Sequence, residues 1–150
     1  MADTPHIDLP ATTFPLTDWQ AELTRSILAH GFHRWAGLRL LDVSAERAVM
    51  AFLPRAEMVS PMGTFNGAIL NGLLETPAVL ALLPHLQEGE RPLTMDIFVQ
   101  NMKAFGVDAD IRMEARVLRR GRRFAHCTVD ALHDDDVRVS ARITKTILAE

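Results

Sequence analysis

The sequence predicts an α+β fold, in which an antiparallel sheet of about six strands is wrapped around one long central helix, with an extra helix near the N-terminus. Two observations support this prediction. The almost wholly apolar stretch over residues 66–83 has the composition of a buried helix, because a surface helix would show a polar face. Segments rich in β-forming residues lie on both sides of it and are separated by turn-like residues.

The N-terminal part of the chain divides into an arm and a helix. Residues 1–16 hold three prolines and little periodicity, which predicts a flexible arm. Residues 17–150 are then expected to form a single domain, a normal size for one hydrophobic core. Thr17 is a suitable cap for a helix that begins at Asp18, and Gly31 is its expected end.

Six strands are predicted around the central helix. Residues 37–43 and 47–53 are separated by a short polar turn, which predicts a hairpin. Four longer strands are expected at residues 93–100, 110–118, 124–132 and 137–148. Because consecutive strands with short links pair in order, these four are expected to form an antiparallel meander.

The central helix contains one acid in an otherwise apolar sequence. Glu75 would lose its hydration among leucines at a cost of several kcal/mol unless a partner compensates. Its isolation is the first indication of function, although a structural acid paired with an arginine is the alternative. Pro77 lacks the N–H that would bond the Leu73 carbonyl, so we expect a kink just after Glu75.

The start of this helix is the second indication. The first backbone N–H groups of a helix have no intrahelical partner, and at Gly67 a ligand oxygen can approach them without meeting a side chain. Gly67 and Glu75 are eight residues apart, or roughly 12 Å along a helix axis. One small reacting group cannot contact both in the same chain. If both serve one reaction, a symmetric dimer must supply them from two chains.

Composition narrows the function classes. The net charge of −3 argues against a general nucleic-acid binder. Cys127 is the only cysteine, so an internal disulfide is excluded and a reducing, cytoplasmic setting is expected. No uninterrupted apolar run reaches the roughly 18 residues of a membrane span. His30 and His33 have helical spacing, but no nearby ligand set completes a metal site, so no metal is expected.

Three motifs resemble those of one enzyme family. Residues 63–67 (Gly-Thr-Phe-Asn-Gly) precede the helix, residues 92–96 (Pro-Leu-Thr-Met-Asp) open a strand, and residues 115–123 end in a run of arginines. In this order they resemble the hotdog-fold acyl-CoA thioesterases of the phenylacetate-degradation (PaaI-like) type, over roughly residues 31–148. The family normally has His-Gly-Gly at the helix start and Asp as the helix acid, where this chain has Asn66-Gly67-Ala68 and Glu75.

The resemblance implies a role for each matching residue. The backbone N–H matching Gly67 polarises the thioester carbonyl, and Asn66 takes the place of a histidine with a side-chain amide that can still donate. Glu75, from the facing subunit, acts as nucleophile or general base. Thr94 orients the water, and Ser60 matches a position that helps to hold the attacked group or water.

Other residues are candidates for substrate binding. Clustered arginines suit the phosphates of coenzyme A, although a solvated hairpin tip is an equally good interpretation. Thr64 can present a hydroxyl near the helix start, and Met62 is one of several methionines that can line an acyl pocket or simply fill the core. The arginines are Arg119, Arg120, Arg122 and Arg123.

The sequence therefore predicts an acyl-CoA thioesterase that works as a homodimer or a dimer of dimers. It needs no cofactor, since coenzyme A is part of the substrate. The alternative from another class is a non-catalytic hotdog protein that binds acyl-CoA or another small ligand, favoured by the missing histidine. No nucleic-acid or membrane partner is expected, although the arginine turn leaves oligonucleotide binding as a third possibility.

Overall fold

A computed structural model describes residues 7–149. Helices α1 (Asp18–Ala29) and α2 (Gly31–Ala36) come first, and the central helix follows the first hairpin as α3 (Gly67–Leu73) and α4 (Glu75–Leu82). The six strands are β1 (Arg39–Val43), β2 (Arg47–Phe52), β3 (Arg91–Asn101), β4 (Ile111–Arg120), β5 (Phe124–His133) and β6 (Asp136–Leu148). The α+β prediction with six strands and an N-terminal helix is confirmed.

The N-terminal helix begins where predicted and ends earlier. The Thr17 hydroxyl accepts from the Gln20 N–H, and the Gln20 side chain accepts from the Thr17 N–H, which completes a capping box. Gly31 does not end this helix; α1 stops at Ala29, and Gly31 begins α2. The left-handed glycine that ends a helix is Gly37, at a φ of 68°.

The described part of the predicted arm lies along the first strand. The Phe14 N–H donates to the Val43 carbonyl at 2.7 Å, and the Thr13 N–H donates to Asp42 at 2.8 Å. Apolar side chains of this segment, including Leu9, pack against the core. Residues 1–6 lie outside the described residues, and the flexibility of the arm stays a prediction.

The sheet order is β1-β2-β4-β5-β6-β3, with every pair antiparallel. The expected meander of four strands is wrong for its first member, because β3 pairs with the far side of β6 and forms an edge of the sheet. The connection from β3 to β4 crosses three strand spacings, about 14 Å, which residues 102–110 span easily. Among residues 7–149, no strand pairs with the other side of β3.

The central helix is interrupted, as Pro77 predicts, but one residue earlier than expected. The break falls at Leu74, before Glu75. Pro77 cannot donate to the Leu73 carbonyl, and its ring crowds that carbonyl, so the regular helix stops there and resumes at Glu75. Glu75 is consequently the first residue of α4 rather than a mid-helix residue.

One face of the sheet packs against α4, which contacts β2, β4 and β5 and, at fewer points, β3. The helical stretch Gly67–His85 is long and apolar enough to cross a membrane by length and composition, although the sequence has no uninterrupted apolar run of that length. Just over half of its most apolar window, 56%, is buried inside the fold. Core helices meet the same criterion, so this stretch is weak evidence for a membrane span.

Candidate active site

The fold brings Glu75 and Thr94 together from two separate elements. Glu75 opens α4 immediately after the break at Leu74, and Thr94 lies near the start of the edge strand β3. The Thr94 hydroxyl donates to Glu75 Oε2 in a short hydrogen bond. Two residues that the sequence singled out for one site are therefore in direct contact within a single chain.

A third member of this cluster comes from β6. In the β3–β6 register Thr94 lies directly opposite Lys145, so both side chains leave the same face of the sheet. Lys145 Nζ lies 2.5 Å from Thr94 Oγ1 and 3.4 Å from Glu75 Oε2. The alternative structural interpretation of Glu75 assumed an arginine partner; the partner is this lysine, and the Glu75 side chain stays 43% exposed.

The cluster keeps Glu75 ionised. Partial burial raises the pKa of Glu75, but the hydrogen bond from Thr94 and the positive charge of Lys145 outweigh that effect and hold the pKa below the usual glutamate value. Burial lowers the pKa of Lys145, and the Glu75 carboxylate opposes that effect. Glu75 is therefore a carboxylate at neutral pH, with Thr94 and Lys145 as the cause.

A cleft of about 430 Å³ opens beside Glu75. Trp19, Leu23 and Ile27 from α1 form one wall, and Val79 from α4 continues the apolar surface. The extra N-terminal helix thus supplies much of the lining of the space that the carboxylate faces. This mostly apolar wall suits a neutral acyl chain or ring better than a charged group.

His33 and Thr76 are two of the polar residues that line the same cleft, together with Glu90 and Arg91. His33 Nδ1 lies 2.6 Å from the Ile27 carbonyl and must donate to it, because a carbonyl only accepts. In the neutral ring Nε2 then accepts from the Thr76 hydroxyl at 3.1 Å. His33 is therefore held between two hydrogen-bond partners. Among residues 7–149, no group of three or more His, Cys, Asp or Glu side chains is arranged so that it could hold a metal ion.

The helix start lies at a second, separate cleft. Asn66 caps α3 by accepting the Ala68 N–H on Oδ1 at 3.0 Å, which leaves its amide N–H groups for other partners. A space of about 240 Å³ next to Gly67 is lined by the end of β3 and the segment that follows it, including Asn101 and Phe105. Gly67 and Glu75 of one chain thus open onto different clefts, in agreement with the spacing argument.

Ser60, Thr64 and Met62 lie in the loop before α3. The Ser60 and Thr64 hydroxyls are 3.2 Å apart, and Ser60 Oγ accepts a hydrogen bond from the Met62 N–H. Both hydrogen bonds stabilise the conformation of the loop. The Met62 side chain is 87% exposed. None of the three lines the cleft beside Glu75, and their roles in the reaction stay predictions.

The four arginines of the β4–β5 hairpin have different surroundings. Arg120 is ion-paired with Glu90 at 2.7 Å, at the rim of the cleft beside Glu75. The remaining three are exposed at the hairpin: Arg119, Arg122 and Arg123. The exposed arginines are available for an anionic ligand, whereas the Arg120 guanidinium already has a carboxylate partner.

Cys127 is buried in β5, and its burial raises the pKa of the thiol to about 11 although the charge of Lys145 opposes that rise. A thiol with this pKa is a poor nucleophile at neutral pH.

Lys145 is the site residue that sequence reasoning missed. In β6 the buried positions alternate regularly, and Lys145 occupies a position where the pattern calls for an apolar side chain. Ala141, Ile143 and Ile147 fill the neighbouring buried positions. A lysine in phase with a core stripe is a signal in the sequence itself that a buried partner of opposite charge is near.

Comparison with known proteins supports the fold. No protein-family model matches the chain, and no curated protein matches it. Among solved structures it is similar to a point mutant of the phenylacetic acid degradation protein PaaI from Thermus thermophilus, at 21% identity and a TM-score of 0.72, covering 79% of this chain and 100% of that one.

Two further structures carry thioesterase names. Zebra fish thioesterase superfamily member 2 is 22% identical with a TM-score of 0.72, over 83% of this chain and 93% of that one. A thioesterase from Haemophilus influenzae is 17% identical with a TM-score of 0.73, over 92% and 93%. At these identities the likeness shows a shared fold.

Proposed function

We propose that this chain, which has the hotdog fold shared by PaaI-like and other thioesterase-superfamily structures, is an acyl-CoA thioesterase that hydrolyses a thioester to the free acid and coenzyme A. The observation that carries the proposal is the Glu75 carboxylate, which is held ionised by Thr94 and Lys145 and lines a mostly apolar cleft. Glu75 must be deprotonated both to act as a general base and to act as a nucleophile, and an ionised carboxylate meets this requirement.

Thioester hydrolysis needs a nucleophile and a stabilised oxyanion. As a general base, Glu75 takes a proton from water while the water oxygen attacks the carbonyl carbon; as a nucleophile, it attacks directly and water hydrolyses the resulting anhydride. In both routes the C–S bond breaks and the thiolate of coenzyme A leaves. The Gly67 N–H, with the Asn66 amide beside it, stabilises the oxyanion, and such a donor lowers the barrier by about 3–4 kcal/mol.

The two halves of this site come from two chains. Thr94, bonded to Glu75, lies near the start of β3, whereas Asn101 at its end lies beside Gly67. An isologous antiparallel pair of β3 strands, centred between residues 94 and 101, places the start of one strand opposite the end of the other. The Glu75 cleft of one subunit then meets the Gly67 cleft of its partner.

The free edge of β3 supports such a dimer. Its side chains include Leu93, Met95, Ile97 and Phe98, all exposed in the single chain. A long, apolar, unpaired edge strand favours aggregation unless it is covered, and pairing with a second copy covers it. We extend the proposal to a homodimer, with a dimer of dimers as the larger assembly, in the cytoplasm where Cys127 stays reduced.

The exposed arginines Arg119, Arg122 and Arg123 are proposed to bind the phosphates of coenzyme A, since guanidinium groups pair with phosphate in bidentate fashion. The loop before Gly67 holds Ser60, Thr64 and Met62. These residues would contribute to substrate binding only if the substrate passes over this loop.

A second candidate is a non-catalytic protein that binds acyl-CoA or another small ligand. It is favoured by Asn66, whose Oδ1 is engaged as a helix cap where the family's histidine normally stands. Binding would still use the apolar cleft, but no bond would be cleaved.

Incubation of the purified protein with a panel of acyl-CoAs and a thiol reagent separates the two candidates. We expect the wild type to release free coenzyme A and Glu75→Gln to lose at least about 100-fold in kcat, the low end of the contribution of an acid–base residue. Glu22→Gln removes an exposed carboxylate from α1 and serves as the matched control. Binding of acyl-CoA with no release by the wild type would favour the second candidate.

A further inference from the structure

Lys145 is the residue whose burial the fold alone does not explain. Its side chain is 1% exposed, in a row of buried positions with Ile143 and Ile147 on β6. Removing an ammonium group from water is unfavourable unless a partner of opposite charge and further hydrogen bonds compensate. Lysine stems pack well against apolar surface, but their charged ends normally reach solvent.

The ammonium group is directed at the two residues of the site. Nζ lies 2.5 Å from Thr94 Oγ1 and can only donate, so the Thr94 oxygen accepts from Lys145. The Thr94 hydroxyl then donates its hydrogen bond to Glu75 Oε2. Glu75 Oε2 also accepts a hydrogen bond from Lys145 Nζ at 3.4 Å. The hydrogen bonds from Thr94 and from Lys145 thus share one carboxylate oxygen of Glu75. Two donors on Oε2 restrict the rotation of the carboxylate, and neither of them uses Oε1.

We propose that Lys145 is a positioning residue for Glu75, which rests on the proposed thioesterase function: its ammonium group, acting directly and through Thr94, holds Glu75 ionised and oriented so that Oε1 faces the scissile thioester. Lys145 itself does not contact the substrate, because the residues that line the cleft include Glu75 and not Lys145. A lysine that only filled space would not need to donate to both partners.

The electrostatic part of this role follows from charge and distance. An opposite charge within about 4–6 Å lowers the pKa of a carboxyl group by roughly 1–3 units. Other ionisable groups surround the pair, and each must be considered in a titration: His33 on α2, Cys127 on β5, and Glu90, Arg91 and Arg120 at the cleft rim. Lys145 is buried, and it donates a hydrogen bond to the Glu75 carboxylate.

The test combines a titration with kinetics on the full-length protein. Lys145→Met removes the charge and keeps the stem, and Arg142→Met removes one positive charge from an exposed position of the same strand as the control. In a ¹³C NMR titration, the pKa of the Glu75 carboxyl should rise by about one unit or more in Lys145→Met and stay unchanged in Arg142→Met. The acid limb of kcat/KM should move upward with it, and kcat should fall about tenfold or more while KM changes little.

The conservative variant keeps the test decisive if Lys145→Met does not fold. Lys145→Arg retains the charge, but the guanidinium cannot reproduce both contacts, so kcat should fall while the acid limb stays close to that of the wild type. An unchanged Glu75 pKa in Lys145→Met, or an unchanged kcat in Lys145→Arg, overturns the proposal. If the wild type hydrolyses no acyl-CoA, the proposed function fails, and the NMR titration still decides whether Lys145 controls Glu75.

Discussion

In the proposed reaction Glu75 acts only as a carboxylate, and this determines the sign of the pH dependence. Its pKa in the folded protein lies below the ordinary glutamate value of 4.5, so the active form is present above that pH and is lost as the pH falls through the lowered pKa. We expect the acid limb of kcat/KM to lie below pH 4.5. Measurement of kcat/KM from neutral to acidic pH, with unfolding followed in parallel by circular dichroism, checks this; an acid limb above that value contradicts it.

Cys127 bears on the coenzyme A assay as well as on mechanism. Because the thiol is buried and its pKa is raised to about 11, a thiol reagent should not modify it in the folded protein. We expect less than about one tenth of the thiol to react in native buffer at neutral pH, and one thiol per chain to react in denaturant. Absorbance of the released chromophore measures both, and rapid native labelling would show that the site around Lys145 opens.

At single residues the sequence was informative where a side chain disagreed with its surroundings. Glu75 was predictable as the one acid of an apolar helix, and Thr94 followed from the resemblance. Lys145 also disagrees with its surroundings, since it occupies one of the alternating core positions of β6. It is less conspicuous than Glu75 because the aliphatic stem of a lysine often packs on apolar surface while its charged end reaches solvent. The convergence of the three on one point depends on the β3–β6 register, which no local pattern specifies.

The start of the central helix gives a prediction that separates capping from catalysis. Asn66→Asp keeps an oxygen for the Ala68 N–H and removes the amide donor, whereas Asn66→Ala removes both. We expect Asn66→Ala to lower the free energy of unfolding by about 1 kcal/mol and Asn66→Asp to leave it nearly unchanged. Both should reduce kcat if the amide assists the oxyanion. Urea unfolding and coenzyme A release measure the two effects, and full activity of Asn66→Asp would assign Asn66 to capping alone.

The positions of the strands could be predicted from the sequence more accurately than the ends of the helices or the order of the strands in the sheet. The strands β4, β5 and β6 lie within two residues of their predicted ends, because alternating burial and short turns act locally. The break at Leu74 and the second helix at Gly31 depend on backbone details that Pro77 and Gly31 only suggest. The position of β3 beyond β6 is set by tertiary pairing, so the sequence could not distinguish it from a meander.

At the scale of the whole molecule, the proposed dimer depends on the exposed edge of β3. Phe98 is 61% exposed near the middle of that strand, and a charge there would be buried without a partner on pairing. We expect Phe98→Asp to convert the dimer to a monomer in light scattering, with loss of activity. Leu53→Asp, at an exposed position after β2, is the control and should stay dimeric. A monomeric wild type would contradict the proposed assembly.

A site shared between two chains can be tested by complementation. Gly67→Pro deletes the N–H that is proposed to stabilise the oxyanion, and proline suits this first helical position, which follows the extended Asn66. Gly67→Ala keeps the N–H, and its added Cβ would meet only Asn101 Oδ1 at an ordinary 3.7 Å. We expect Gly67→Pro to lose about 100-fold or more in kcat and Gly67→Ala to remain active.

The most direct measurement is the activity of a purified heterodimer that carries Glu75→Gln in one chain and Gly67→Pro in the other. If each site takes its acid from one subunit and its N–H from the partner, one of the two sites combines both defects and the other has neither. The account predicts recovery of about half of the wild-type activity per dimer. A heterodimer as inactive as the two parent homodimers would place both groups in the same chain and contradict the account.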